Sequence, residues 1–168
     1  MTIQEKVAKI AYQAFRNIDF VNKLKTGSLK YKFPLDDVMK KMDKKENLKV
    51  LKKLGYDFKI FTPGQHYKYE EVFGNIKLIL SCKISGGIIN DYIYIYINGE
   101  KIDVNLLQSN LAFIYRYLIN DLNAEISAFK FRDYIDFKNA MRDITNIYEA
   151  FKIEFLRLMK EQNILSVS

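Results

Sequence analysis

Apolar and polar residues alternate along the middle of the chain, over residues 76–104. Two dipeptides interrupt the alternation, Gly86-Gly87 and Asn98-Gly99. Both are typical of two-residue hairpin loops, whose turns need positive φ angles that Gly and Asn adopt at low cost. The pattern therefore predicts three antiparallel strands joined as a meander. The pairs that this register predicts are Ile76 with Ile97, Leu78 with Ile95, Leu80 with Ile93, Tyr96 with Lys101, Ile95 with Ile102, Tyr94 with Asp103 and Ile93 with Val104.

This register gives the meander two unlike faces, and a slip of one residue would exchange them. The first is apolar and is called the isoleucine face; it carries Ile76, Leu78, Leu80, Ile93, Ile95 and Ile97. The second is called the tyrosine face; it carries Lys77, Ile79, Ser81, Lys83, Tyr92, Tyr94, Tyr96 and Lys101. We expect helices to cover the isoleucine face. The tyrosine face is amphipathic, so it is either half covered by a helix or used for binding.

Residues before the meander add strands to the same sheet. Alternating apolar residues predict a strand over residues 56–62, ended by Pro63-Gly64, and a second strand over residues 66–73. The sheet should therefore have four to five strands and extend over residues 56–104.

Helical patterns precede this sheet. Apolar residues repeat every three or four positions from Ile3, and a Thr2/Glu5 capping box predicts the start of a helix over residues 3–23 that stops near Gly27. Alternating lysines predict a short edge strand over residues 29–33. A second helix is predicted over residues 34–54.

The second helix should begin at Pro34, whose missing N–H costs nothing in a first turn. Asp43 and Glu46 form a second acidic capping pattern, so this helix should break and restart near Asp43. Gly55 suits the position after its end.

Two more helices are predicted after the sheet. Asn105 is a candidate N-cap for a helix over residues 105–120, and a long stripe of apolar residues predicts a helix over residues 133–162. This stripe should pack on the sheet or on the first helix, and self-association through it is a minority alternative. Residues 126–131 fit either a helix or a strand.

The predicted fold class is α+β: one domain over residues 1–168, in which N-terminal and C-terminal helices flank an antiparallel meander. With 49% apolar residues, the chain can bury an ordinary core. No apolar run reaches the roughly 20 residues that cross a bilayer. The N-terminus lacks a signal-peptide core, and a single cysteine fits a reducing compartment. We therefore expect a cytoplasmic location, no membrane partner and a buried Cys82.

The positive charge of this protein is concentrated in one part of the chain. Residues 1–53 hold 14 Lys and Arg against 6 Asp and Glu, whereas the remainder holds 13 against 14. Such asymmetry can indicate a nucleic-acid or acidic partner, although a lysine-rich helix face is more often simply solvated. Four lysines of this region are candidate binding residues: Lys40, Lys41, Lys44 and Lys45.

No motif of catalysis or cofactor binding is present. The sequence lacks a phosphate-binding glycine loop, a dinucleotide fingerprint, zinc-ligand spacing and a nucleophile elbow. His66 has no histidine companion and no neighbouring cysteine, so neither a metal nor a catalytic role is expected for it. We expect no enzyme activity, no cofactor and no metal.

Three functional hypotheses remain. The first is a small cytosolic bacterial or phage accessory protein that binds another protein or a nucleoprotein complex, as immunity or anti-defence inhibitors do. The second is direct nucleic-acid binding through residues 1–53 and the tyrosine face, because tyrosine rings with lysines can form a stacking platform. The third is sequestration of a small anionic, nucleotide-like ligand by Arg116 or Lys101 beside a stacked tyrosine. The candidate binding residues of the meander and of the helix after it are Tyr92, Tyr94, Tyr96, Lys77, Lys101 and Arg116.

Overall fold

A computed structural model shows the central meander in the predicted register. The structure describes residues 1–61, 65–102 and 110–166. Within them, Leu80 pairs with Ile93 and Tyr96 pairs with Lys101. The strands are β1 (Lys59–Phe61), β2 (His66–Phe73), β3 (Ile76–Ser85), β4 (Ile88–Ile97), β5 (Glu100–Lys101) and β6 (Phe129–Lys130).

The sheet is antiparallel, with the order β1-β2-β3-β4-β5. One edge of β4 pairs with β3 along its whole length. The other edge takes three partners in succession: β5 at its end, an isolated bridge from Asn110 to Tyr92 in its middle, and β6 at its start. The fold class is therefore α+β, as predicted, with five to six strands and helices from both ends of the chain.

The helices of the described residues lie on the isoleucine face. They are α1 (Ile3–Asn17), α2 (Phe20–Lys30), α3 (Lys44–Lys53), α4 (Leu111–Leu118) and α5 (Tyr134–Glu161). The Asn47 amide of α3 donates to the hydroxyl of Tyr67, which lies opposite Cys82 on this face. Phe15 of α1 stacks on Phe151 of α5 with ring centroids 4.2 Å apart. The apolar stripe of α5 is thus buried within the chain.

The isoleucine face forms one side of the hydrophobic core. Leu78, Leu80 and Ile95 have at most 1% of their surface exposed. Cys82 is also fully buried, and burial raises the pKa of its thiol well above the usual range. The predicted inward position of this cysteine is confirmed.

The N-terminal helix prediction is wrong in extent. Instead of one helix over residues 3–23, α1 ends at Asn17 and α2 begins at Phe20, because Asp19 adopts a left-handed conformation with φ of 56°. The capping box at Thr2 is confirmed. Gly27 lies inside α2 instead of stopping a helix, and residues 29–33 form no strand.

The predicted helix over residues 34–54 is correct only in its second half. Residues 34–43 form turns and irregular backbone, and α3 begins at Lys44 with Asp43 as its N-cap. Tertiary contacts decide this difference: the Met39 amide donates to the carbonyl of Phe131, and Val38 is buried. A helix would withdraw that amide into its own hydrogen bonds.

The predictions of the two C-terminal helices agree more closely with the structure. The helix predicted over residues 133–162 is α5, capped by Asp133. The helix predicted over 105–120 appears as α4, whose N-cap is Asn110; residues 105–109 and the proposed cap Asn105 lie outside the described residues.

At the strand ends, β1 is shorter than the predicted strand 56–62, and the Pro63-Gly64 turn also lies outside the described residues. The Ile102 amide donates to the carbonyl of Ile95 as the register requires, whereas the pairs of Asp103 and Val104 are not described. No helix in the described ranges is long and apolar enough to cross a membrane.

Candidate binding surface

The tyrosine face is the side of the sheet opposite the helices. Strand alternation places the outward side chains of β1 to β5 there, and no helix of the described residues lies over them. Phe61 and Val72 are 45% and 68% exposed on this face. Large apolar residues at such exposure, grouped beside aromatic residues, are typical of a surface that meets a partner.

The face is strongly basic. Its lysines come from every described strand except β4: Lys59, Lys68, Lys77, Lys83 and Lys101, with Lys130 of β6 opposite Ile88. Against these six cations, the described part of the face holds one carboxylate, that of Glu70. A low-dielectric surface with one sign of charge attracts and orients partners of the opposite sign.

Two lysines of this face hold tyrosine rings in place through cation–π contacts. The Lys77 ammonium lies 4.5 Å from the ring centroid of Tyr96, and the Lys101 ammonium lies 4.7 Å from that of Tyr94. The Tyr92 and Tyr94 rings are parallel within 1°, with centroids 6.0 Å apart. Each cation–π contact adds about 0.5–1 kcal/mol at an exposed site. These contacts hold the tyrosines in place before any partner arrives.

The same geometry limits what can stack on these rings. An ammonium group already covers one face of Tyr94 and one face of Tyr96. A base inserted between Tyr92 and Tyr94 would need about twice the stacking rise of roughly 3.4 Å, but their centroids are only 6.0 Å apart. A nucleic-acid base that stacked on the covered face of Tyr94 or Tyr96 would therefore have to displace a lysine from that ring.

The centre of the tyrosine face is closely filled. Ile79 and Ser81, opposite Tyr94 and Tyr92 in the register, are buried. The Ser81 hydroxyl lies 3.4 Å from Nδ1 of His66. Burial, together with the charges of Lys68 and Lys83, lowers the pKa of His66. This histidine is therefore neutral at neutral pH and contributes no seventh positive charge.

The remaining predicted site residues lie outside the strands that form this face. Lys44 and Lys45 are exposed on α3, in the helical layer. Lys40 and Lys41 are exposed in the irregular segment before α3, next to Met39, which contacts Phe131. Lys44 and Lys45 therefore belong to the helical layer, whereas Lys40 and Lys41 follow a segment that contacts the chain directly after β6.

Arg116 is also remote from the tyrosine face. It belongs to α4, and its Nε donates to the carbonyl of Ala124 at 2.9 Å. Together with Asp91 and Asn110, it lines a cavity of about 250 Å³ on the helical side of the sheet. Burial raises the pKa of Asp91 to about 7. Among the described residues, no group of three metal-ligating side chains accompanies this carboxylate.

Sequence reasoning missed part of the tyrosine face. Lys59, Phe61, Lys68 and Val72 belong to it through β1 and β2. Alternation along the predicted strand 66–73 would have assigned Lys68 and Val72 to one side and Tyr67 and Tyr69 to the other. Lys130 could not be assigned, because residues 126–131 had no clear period.

No protein-family model, no curated protein and no solved structure matches this chain.

Proposed function

We propose that this protein acts by binding a macromolecular partner through the tyrosine face, and that the partner presents an acidic protein surface. The observation that carries the proposal is the helix-free side of the sheet, where six lysines and three tyrosines accompany one glutamate in the described residues. Tyrosine is enriched at protein interfaces because it contributes a large amphipathic area at small entropic cost. Inhibitors of the immunity or anti-defence kind, acting in the cytoplasm by occupying a surface and without catalysis, fit this description.

The dimensions suit such a role. β3 and β4 each contain ten residues, which corresponds to a length of about 33 Å. Four adjacent strands add a width of about 15 Å, so the flat area is roughly 500 Å². Because side chains project from the sheet, the accessible area of this face is larger than its flat area. It approaches the roughly 800 Å² that each partner buries in a standard interface.

Charge and preorganisation support a protein partner in different ways. Six lysines would steer an acidic surface towards the sheet and speed its association. The lysine–tyrosine contacts fix rotamers in advance, which lowers the entropy lost on binding. Phe61 and Val72, exposed beside them, offer apolar contacts.

Single-stranded nucleic acid is the second candidate, supported by the same six lysines. Phosphate neutralisation needs only such cations, whereas stacking also needs open ring faces. Lysine ammonium groups cover ring faces of Tyr94 and Tyr96. The geometry therefore favours the protein partner.

A pull-down from the source lysate, with and without nuclease, tests this proposal. The bait is compared with Lys77→Glu/Lys83→Glu, which reverses charge on the tyrosine face, and with Lys44→Glu/Lys45→Glu, which makes the same change on α3. We expect a protein that is retained after nuclease treatment, lost with the first variant and kept with the second. Equal capture by all three baits would contradict the proposal.

Anisotropy titration with random single-stranded DNA and RNA separates the second candidate. Binding through six phosphate contacts should weaken by roughly a hundredfold or more between about 50 and 200 mM salt, since counterions are released. Such binding, abolished by Lys77→Glu/Lys83→Glu, would establish nucleic acid as the partner. Absence of binding at low salt would eliminate it.

A further inference from the structure

A second candidate site lies in the helical layer, away from the tyrosine face. The groove between α1 and α4, called the α1–α4 groove, encloses about 740 Å³. This volume is within the range of roughly 300–1,000 Å³ that small-molecule sites occupy. Its lining residues are Met1, Glu5, Ala8, Lys9, Tyr12, Gln13, Arg16 and Tyr117.

Tyr12, which lines the α1–α4 groove, carries an unsatisfied polar group. Tyr12 is 3% exposed, and within the described part of the chain its hydroxyl has no hydrogen-bond partner. Buried hydroxyls are normally paired, and leaving one unpaired costs about 1–3 kcal/mol. Burial raises the pKa of Tyr12, so the hydroxyl keeps its proton and can donate. A polar ligand group that reached this hydroxyl from the groove, with a shift of the ring to admit it, would relieve this cost.

An aromatic surface lies beside that hydroxyl. The rings of Tyr12 and Tyr117 are 4.4 Å apart at their centroids and tilted by 36°. Tyr117 is half-buried, so part of its ring borders the groove. A planar ligand could extend this pair as a third ring, in the offset geometry that aromatic groups prefer.

The rim of the groove is cationic. Lys9 and Arg16 are exposed on α1, and neither forms a salt bridge among the described residues. They are seven residues apart, so two turns of helix, about 10.5 Å, separate them on the same side. The carboxylate of Glu5 is engaged in the capping box at Thr2. That carboxylate keeps its charge and interacts with Lys9, so the rim holds two cations against one carboxylate, and Arg16 lies about three turns from Glu5.

We propose that the α1–α4 groove binds a small planar aromatic anion of the mononucleotide class. The base stacks on Tyr117, a polar group of the ligand pairs with the Tyr12 hydroxyl, and the phosphate lies against Arg16 and Lys9. A purely apolar ligand would leave the hydroxyl unpaired, and a simple inorganic anion would leave the ring of Tyr117 unused. This site is independent of the tyrosine face and does not need its partner.

Calorimetric titration with AMP, GMP, CMP, UMP and inorganic phosphate tests the site. We expect saturable binding of at least one mononucleotide, and at least tenfold weaker binding of phosphate alone. Arg16→Gln should weaken the mononucleotide at least tenfold, whereas Lys25→Gln, the loss of an exposed positive charge on α2 outside the groove, should leave affinity unchanged. Absence of binding by all four mononucleotides, or equal weakening by both variants, would overturn the proposal.

Two aromatic variants separate ligand contact from a packing role. Tyr117→Leu should reduce mononucleotide affinity at least tenfold while phosphate affinity stays the same. Tyr12→Phe keeps the ring and removes the unpaired hydroxyl, so the free protein should melt at the same temperature or higher, yet bind the mononucleotide more weakly. Unchanged mononucleotide affinity in a folded Tyr12→Phe protein would show that the hydroxyl does not contact the ligand, against the proposal.

Discussion

The carboxylate of Glu71 on β2 accepts a hydrogen bond of 2.8 Å from the hydroxyl of Tyr148 on α5. The Lys152 ammonium lies 3.0 Å from the same carboxylate and 2.7 Å from that of Glu149. Burial and the bond to Glu71 raise the pKa of Tyr148 strongly, so its hydroxyl remains a donor. This network joins the long C-terminal helix to the sheet through polar groups within an otherwise apolar interface.

Replacing Glu71 by Ala should lower the free energy of unfolding by about 2–3 kcal/mol, because a partly buried hydroxyl and ammonium lose a charged partner. Lys152 keeps Glu149, which limits the loss. Urea unfolding at neutral pH measures the effect. Glu70→Ala is the matched control, since the neighbouring carboxylate is exposed on the other face of the same strand, and it should change stability by less than about 0.5 kcal/mol. Equal effects of the two changes would refute the role given to the network.

Gly27 in the last turn of α2 lies directly against the ring of Phe129. A Cβ on Gly27 would be 2.2 Å from Cζ of Phe129, and both residues are buried. Gly27→Ala should therefore destabilise the protein by about 1–3 kcal/mol through overpacking, although alanine is favoured over glycine in a helix by about 1 kcal/mol. Thermal unfolding provides the measurement.

The adjacent Thr26→Ala is the control for this substitution, since Thr26 is exposed in the same helix and should tolerate alanine without loss. The double variant Gly27→Ala/Phe129→Leu should recover part of the stability lost in Gly27→Ala, because a smaller side chain makes room for the methyl group. A Gly27→Ala protein that melts higher than the parent would contradict the close contact.

Asp91 should make stability fall as pH rises. Its folded-state pKa of about 7 lies above the unfolded value of about 3.9, so the folded state holds the proton more tightly. The resulting contribution is complete below pH about 4 and is lost as pH rises through 7. Asp91→Asn should therefore raise the melting temperature at pH 8 and raise it less at pH 5.5. The exposed Asp57→Asn should show no such difference, and a pH-independent effect of Asp91→Asn would contradict the assignment.

His66 should make stability fall as pH falls, which is the opposite of the effect of Asp91. Its folded-state pKa is lowered, so the folded state binds the proton less readily than the unfolded chain. The contribution is present above the unfolded pKa of about 6.5 and is lost as pH falls through the lower folded value. His66→Gln should therefore lose less stability than the parent between pH 7.5 and pH 5. Parallel melting curves against pH for the two proteins would exclude this role for His66.

Much of the sheet was predictable because its signals are local. The turns at Gly86-Gly87 and Asn98-Gly99 need positive φ, which these residues supply. The first turn sets the register of β3 on β4, and the second sets that of β4 on β5. Alternation along each strand then places Ile95 on the core face and Tyr96 on the tyrosine face. The 28 residues of α5 were equally clear, since a strong helical period over such a length has few alternatives.

Predictions from local sequence were wrong where contacts between residues distant in sequence determine the backbone conformation. Gly27 has the character of a helix terminator, yet α2 continues through it to Lys30. The ring of Phe129, far along the chain, occupies the space that a side chain at this position would need. The segment after Pro34 has a good helix start, but Met39 donates to Phe131 instead. In both cases an intrinsic preference of about 1 kcal/mol gives way to tertiary packing.

The candidate sites, too, were predictable in part from local sequence and in part only from the tertiary structure. The sequence by itself determined that Tyr92, Tyr94 and Tyr96 share a face with Lys77 and Lys101, since alternation within paired strands requires it. Only the tertiary structure decided that the described helices all lie on the other side, that Lys44 and Arg116 belong to that helical layer, and that Tyr12 meets Tyr117 across the α1–α4 groove. The reason is physical: strand periodicity is a property of neighbouring residues, whereas the position of a helix on a sheet depends on packing between residues a hundred positions apart.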